Sequence, residues 1–132
     1  MGDLYDGAEK PSVVIQNFLD WLTETKRRQE EYWEQVEEED RRVQDFLHEF
    51  EFEGSRSRRS PIGTRLHMSR VKRRQAKDRA SLYKPVKDFV DDATNRGYIK
   101  RLKKLQGDLK AQEAFLESER VYKPRAGEPD DG

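Results

Sequence analysis

Between residues 12 and 53, apolar and aromatic side chains recur at steps of three and four, with no proline or glycine to interrupt them. Set in heptads, the inward positions read Ile15, Phe18, Leu22, Thr25, Gln29, Tyr32, Val36, Glu39, Val43, Phe46 and Phe50. Leu19, Trp33 and Leu47 widen that seam into a stripe. A stripe of this kind is what a helix needs to pack on other helices. The pattern predicts one helix over residues 12–53, capped by Ser12 and roughly 60 Å long at about 1.5 Å per residue. Its first turns, with Phe18, Trp21 and Leu22, are the most apolar and are expected in the core. Thr25, Gln29 and Glu39 weaken the middle of the seam, and Gly54 with Ser55 ends it.

Beyond residue 53 the periodicity is fainter. Residues 54–68 combine two glycines, a proline and four arginines with few apolar anchors, and read as a basic linker. Ser69 is placed to cap a second helix over about 70–83, and Pro85 to open a third that carries Val86, Phe89, Val90 and Ala93. Gly97 reads as its stop. A fourth helix over about 98–120 carries Tyr98, Leu102, Leu105, Leu109 and Leu116. Residues 1–11 and 122–132, rich in Gly, Pro and acids, read as disordered tails. The fold predicted is all-α. One long N-terminal helix is joined by two or three shorter C-terminal helices within 69–121, packed back as an elongated bundle or coiled coil. Phe18, Trp21 and Leu22 are expected against Phe89, Val90 or Leu102.

Composition explains why so long a seam matters. Of 132 residues only 33% are hydrophobic and 41% are charged, against about 45–50% and about 25% in an average globular domain. So thin a core cannot cover residues 15–50 from the last two helices alone. The chain is therefore expected to self-associate or to hold a protein partner through Tyr32, Trp33, Val36, Val43, Phe46, Leu47 and Phe50.

Net charge is zero, yet it is the sum of two opposed blocks. Residues 29–53 hold eleven acids and two bases, and residues 54–80 hold ten bases and one acid. The bases are Arg56, Arg58, Arg59, Arg65, Arg70, Lys72, Arg73, Arg74, Lys77 and Arg79. Neutralising a phosphate backbone is the leading reading of this block. Pairing with the acidic half of the long helix is its rival, and a solvated linker is the third. No aromatic residue is interleaved with the arginines, so backbone contact is favoured over base stacking.

Little else points to chemistry. There is no cysteine, which excludes disulfides and thiolate metal sites. Asp45 and His48 share the i, i+3 spacing of half a carboxylate–histidine motif, but nothing near His67 completes it. No phosphate-binding loop, nucleophile elbow or carboxylate pair is present. No metal, cofactor or small-molecule substrate is therefore expected, and no catalysis. No apolar run reaches the roughly 18 residues of a membrane span. The N-terminus is unlike a signal peptide, so the expected location is cytoplasmic, or nuclear in a eukaryote. The function expected is that of a small assembly or regulatory factor binding nucleic acid or a nucleoprotein through its basic segment. The alternative is a protein-interaction module, a scaffold, adaptor or inhibitor, acting through the acidic helix and its apolar seam.

Overall fold

The computed structural model describes residues 3–54 and 56–118, the side chains of Arg56 and Ser57 excepted. The expected tail 122–132 lies outside the described residues. Three α-helices are described and no strand: α1, Pro11–Phe52; α2, Arg56–Asp91; and α3, Arg96–Glu117, with a 3₁₀ turn at Ala93–Asn95 before α3. The chain is all-α. Its contacts divide into two units, one within Met1–Leu19 and Tyr98–Gly132, the other Asp20–Gly97.

The second unit is an antiparallel hairpin of α1 on α2. From Leu22 onward the seam read in the sequence is the buried side of α1: Leu22, Thr25, Gln29, Val36 and Glu39 are buried, and Tyr32, Val43, Phe46 and Phe50 half-buried. The opposing row on α2 runs Ile62, Leu66, Ser69, Arg73, Ala76, Ala80, Tyr83, Lys87 and Val90, again in steps of four and three. Small residues on α2, Ser69, Ala76 and Ala80, fall in the middle of this row. Register is marked along the seam by Arg59 over the Phe50 ring at 4.9 Å and by Ser69 Oγ donating to Glu39 Oε2. Further along, Gln29 Nε2 donates to Ala80 O at 3.3 Å, and Lys26 pairs with Asp91 at 2.7 Å. Asp91 is held below the usual carboxylate range, first by Lys26 and then by Lys87.

Several expectations change here. Residues 56–68, expected within a linker, are the first turns of α2, and one helix runs where two were expected on either side of Pro85. Pro85 is exposed. The hydrogen bond it removes, to the Ser81 carbonyl, therefore lies on the solvent side, while the seam passes unbroken from Tyr83 to Val90. Ser69 is accordingly no cap but a buried seam residue. Gly97 lies inside α3. The stop of α2 comes earlier, where Asn95 Nδ2 donates to Phe89 O at 3.0 Å and Asp92 accepts from Thr94 N at 2.9 Å. Phe18, Trp21 and Phe89, expected in the core, are exposed, Phe89 to 41%.

In the first unit, residues 3–10 were expected as a loose tail and instead form a turn joined to α3. Asp6 and Gly7 both take positive φ, 51° and 79°. Asp3 accepts from Gly7 N at 3.0 Å and Tyr5 N at 3.2 Å; these bonds, Gly7's first, hold its carboxyl below the usual range. Lys10 pairs with Glu117 at 2.7 Å, and Tyr5 OH donates to the same carboxylate. Pro11 opens α1, where no N–H is needed, so Ser12 sits within the helix rather than before it. Its N–H donates to Glu113 Oε2 at 2.8 Å and its hydroxyl to Oε1. A carboxylate from α3 thereby serves the orphan N–H and the positive end of α1. On α3 the less exposed row is Ile99, Leu102, Gln106, Leu109, Glu113 and Leu116, which leaves Tyr98 and Leu105 outward.

Candidate nucleic-acid interface

The antiparallel turn after residue 53 folds the basic block back along the acidic one, and it sorts the ten bases into groups. Arg65 reaches Glu49 at 3.9 Å, and Arg73 pairs with Asp40. Arg59, Arg65 and Arg79 stack their guanidinium groups over Phe50, Phe46 and Tyr32, at 4.9, 5.8 and 5.8 Å. Such contacts use the ring faces of the seam and leave the charge half in water. Internal pairing therefore accounts for four bases, and for few of the eleven acids.

Five others behave differently. Arg58, Arg70, Lys72, Arg74 and Lys77 are exposed and make no hydrogen bond or ion pair among the described residues. Arg70, Arg74 and Lys77 stand at i, i+4 and i+7, which places them in one row on α2. Arg58 and Lys72 lie on the opposite flank, two heptads apart. The side chain of Arg56 lies outside the described residues.

The seven seam residues expected to meet a partner fall mostly inside the hairpin. Val36 is buried, only 2% exposed, and Tyr32, Val43, Phe46, Leu47 and Phe50 are half-buried. The physical reason is that α2 is helical from Arg56 and runs along the seam from Phe50 to Leu22, so this chain supplies the cover that a second molecule was expected to give. Trp33 is the exception, exposed to 48%. It lines an open groove of about 430 Å³ with Gln29, Glu30, Glu34 and Glu37 of α1 and Ala80, Ser81, Lys84 and Lys87 of α2. Sequence reasoning did not find this groove; the signal was there in Glu30, Glu34 and Glu37 flanking an aromatic just off the seam.

No group of three or more His, Asp or Glu among the described residues is placed to hold a metal ion. No helix among them is long and apolar enough to cross a membrane. No family model, no curated protein and no solved structure matches the chain.

Proposed function

We propose that the chain is a non-enzymatic nucleic-acid- or nucleoprotein-binding factor in which the α1–α2 hairpin holds a basic ridge toward phosphates. The observation that carries this reading is the row Arg70, Arg74 and Lys77, exposed on a helix and without an ion pair among the described residues although an acidic helix runs alongside. A cation already satisfied by a neighbour has less to gain from a phosphate. Arg73, paired with Asp40, is therefore removed from the ridge. Lys72 and Arg58 extend the charge around α2 and would follow a backbone rather than read bases.

The test is retention on heparin and on duplex or single-stranded oligonucleotides across a salt series. Each phosphate contact contributes about −0.9 to the slope of log K against log salt on duplex DNA. The R70E/R74E/K77E variant should lose binding at moderate salt, while the wild type shows a slope of at least about −3. Wild-type and variant binding curves that superimpose would exclude the ridge.

A second reading, a protein-interaction module, is favoured by the half-exposed Trp33 beside three carboxylates that make no ion pair among the described residues. An indole left in water on a helical hairpin is a common anchor for a protein surface.

A further inference from the structure

The Trp33 groove and the basic ridge lie on one face of the hairpin. Ser81 and Lys84 line the groove, and they continue the α2 row begun by Arg70, Arg74 and Lys77, at i+11 and i+14 from Arg70. The opposite wall is Glu30, Trp33, Glu34 and Glu37 of α1. These three glutamates are also spaced i, i+4, i+7, and they make no hydrogen bond or ion pair among the described residues. The lysines across the groove are already committed, Lys84 to Asp88 at 2.9 Å and Lys87 to Asp91. The face thus carries two parallel rows of equal spacing and opposite sign, neither ion-paired among the described residues, although Glu30 also lies in the field of Lys87. At the floor, Gln29 is only 5% exposed and its Oε1 has no hydrogen-bond partner among the described residues.

We propose that a second copy of this chain docks on this face, Arg74 and Lys77 of each lying over Glu37 and Glu34 of the other, with Arg70 and Glu30 at the two ends of the contact. The symmetry decides the arrangement. A two-fold axis parallel to the helices and above the face sets each α1 over the other copy's α2, so acid meets base twice and the contact closes at two molecules. An axis across the helices would set acid on acid. The first operation preserves the level along the hairpin. The Gln29–Ala80 and Asp40–Arg73 contacts mark that level within one copy. Glu37 of one copy then falls near Arg74 of the other, and Glu34 near Lys77. Trp33 lies under the same row and offers its ring face to a guanidinium or ammonium group. This association does not rest on phosphate binding, but it covers the ridge that phosphates would use, so the two would compete.

The experiment is a charge swap on the full chain, freed of nucleic acid by nuclease and followed by sedimentation equilibrium. Wild type should be dimeric at tens of micromolar in low salt and dissociate as salt shortens the Debye length to below about 10 Å. E30K/E34K/E37K makes both rows basic, and R70E/R74E/K77E makes both acidic. Each should be monomeric alone, with helical circular dichroism retained, and an equimolar mixture should recover the dimer mass. Trp33→Ala, a single exposed change, should weaken association about tenfold. A monomeric wild type in low salt, variants that dimerise alone, or a mixture that stays monomeric would each overturn the proposal. E30Q/E34Q/E37Q removes the acidic row, keeps the basic ridge and adds no cation, so nucleic-acid retention by this variant reports on the phosphate reading independently.

Discussion

Replacing Ser69 by alanine removes one hydroxyl from the middle of the hairpin, and its cost can be set from the contacts. Glu39 is exposed to only 6%. It accepts from Ser69 Oγ across the seam and from Arg42 Nη1 at 2.6 Å along its own helix. A hydrogen bond to a charged group contributes about 1.5–3 kcal/mol, and stranding a buried acceptor costs a similar amount. Arg42 continues to serve the other oxygen, so the lower end applies, about 1.5 kcal/mol. The second perturbation reverses the sign. Adding Glu39→Leu to Ser69→Ala removes both polar partners and leaves an apolar run with Val36 and Val43. That exchange should return stability to within about 0.5 kcal/mol of wild type or above it. Arg42, exposed, keeps Glu38 as a partner. Urea unfolding followed by circular dichroism, with slopes compared, gives both values. A single mutant within about 0.5 kcal/mol of wild type, or a double mutant worse than the single, would refute the account of Glu39 as a charge held in the seam by Ser69.

Three further outcomes follow from the contacts. Phe89→Ala should cost about 1–2 kcal/mol in the same assay, below the about 3–5 kcal/mol of a buried phenylalanine, because the ring is 41% exposed. Glu113→Ala should free the first turn of α1 and cost about 2 kcal/mol, whereas Glu113→Gln, which keeps an acceptor, should cost less; hydrogen exchange at the Ser12 amide reads the difference. Tyr5 is pushed up to about 12, chiefly because its hydroxyl donates to Glu117. A raised folded-state value means that the stabilisation is whole below about pH 10 and is lost as pH climbs toward 12. Tyr5→Phe should therefore remove the absorbance change near that pH and leave unfolding in alkali less steep.

Half of the hairpin was legible in the residues and half was not. The α1 seam was readable because Tyr32, Val36, Val43, Phe46 and Phe50 are large, and their spacing stands out against charge. Its α2 counterpart has the same spacing, but Ser69, Ala76 and Ala80 carry almost no hydrophobic signal, and Arg73 and Lys87 carry the opposite one. Pro61, Gly63 and Pro85 then argued for breaks that helix-on-helix burial overrides. A seven-residue step through Ile62, Ser69, Ala76, Tyr83 and Val90 was the available clue. The candidate site divides in the same way. Charge runs located the basic block from composition alone. Which bases remain unpaired depends on the register of α2 against Asp40, Glu49 and the aromatic rings, and no local pattern states that register.

The Ser12–Glu113 contact has a consequence for the order in which the chain takes shape. The hairpin joins segments adjacent in sequence and can zip outward from its turn at Gly54, each new pair closing little additional loop. The first unit has no such path. Its ties run from Tyr5, Lys10 and Ser12 to Glu113 and Glu117, across 101 residues for Ser12 and 112 for Tyr5. During synthesis the apolar first turns of α1 emerge early and must wait for nearly all of α3 before Glu113 can reach them. A chain ending before residue 113 would have its hairpin closed and its leading helix end still unclaimed.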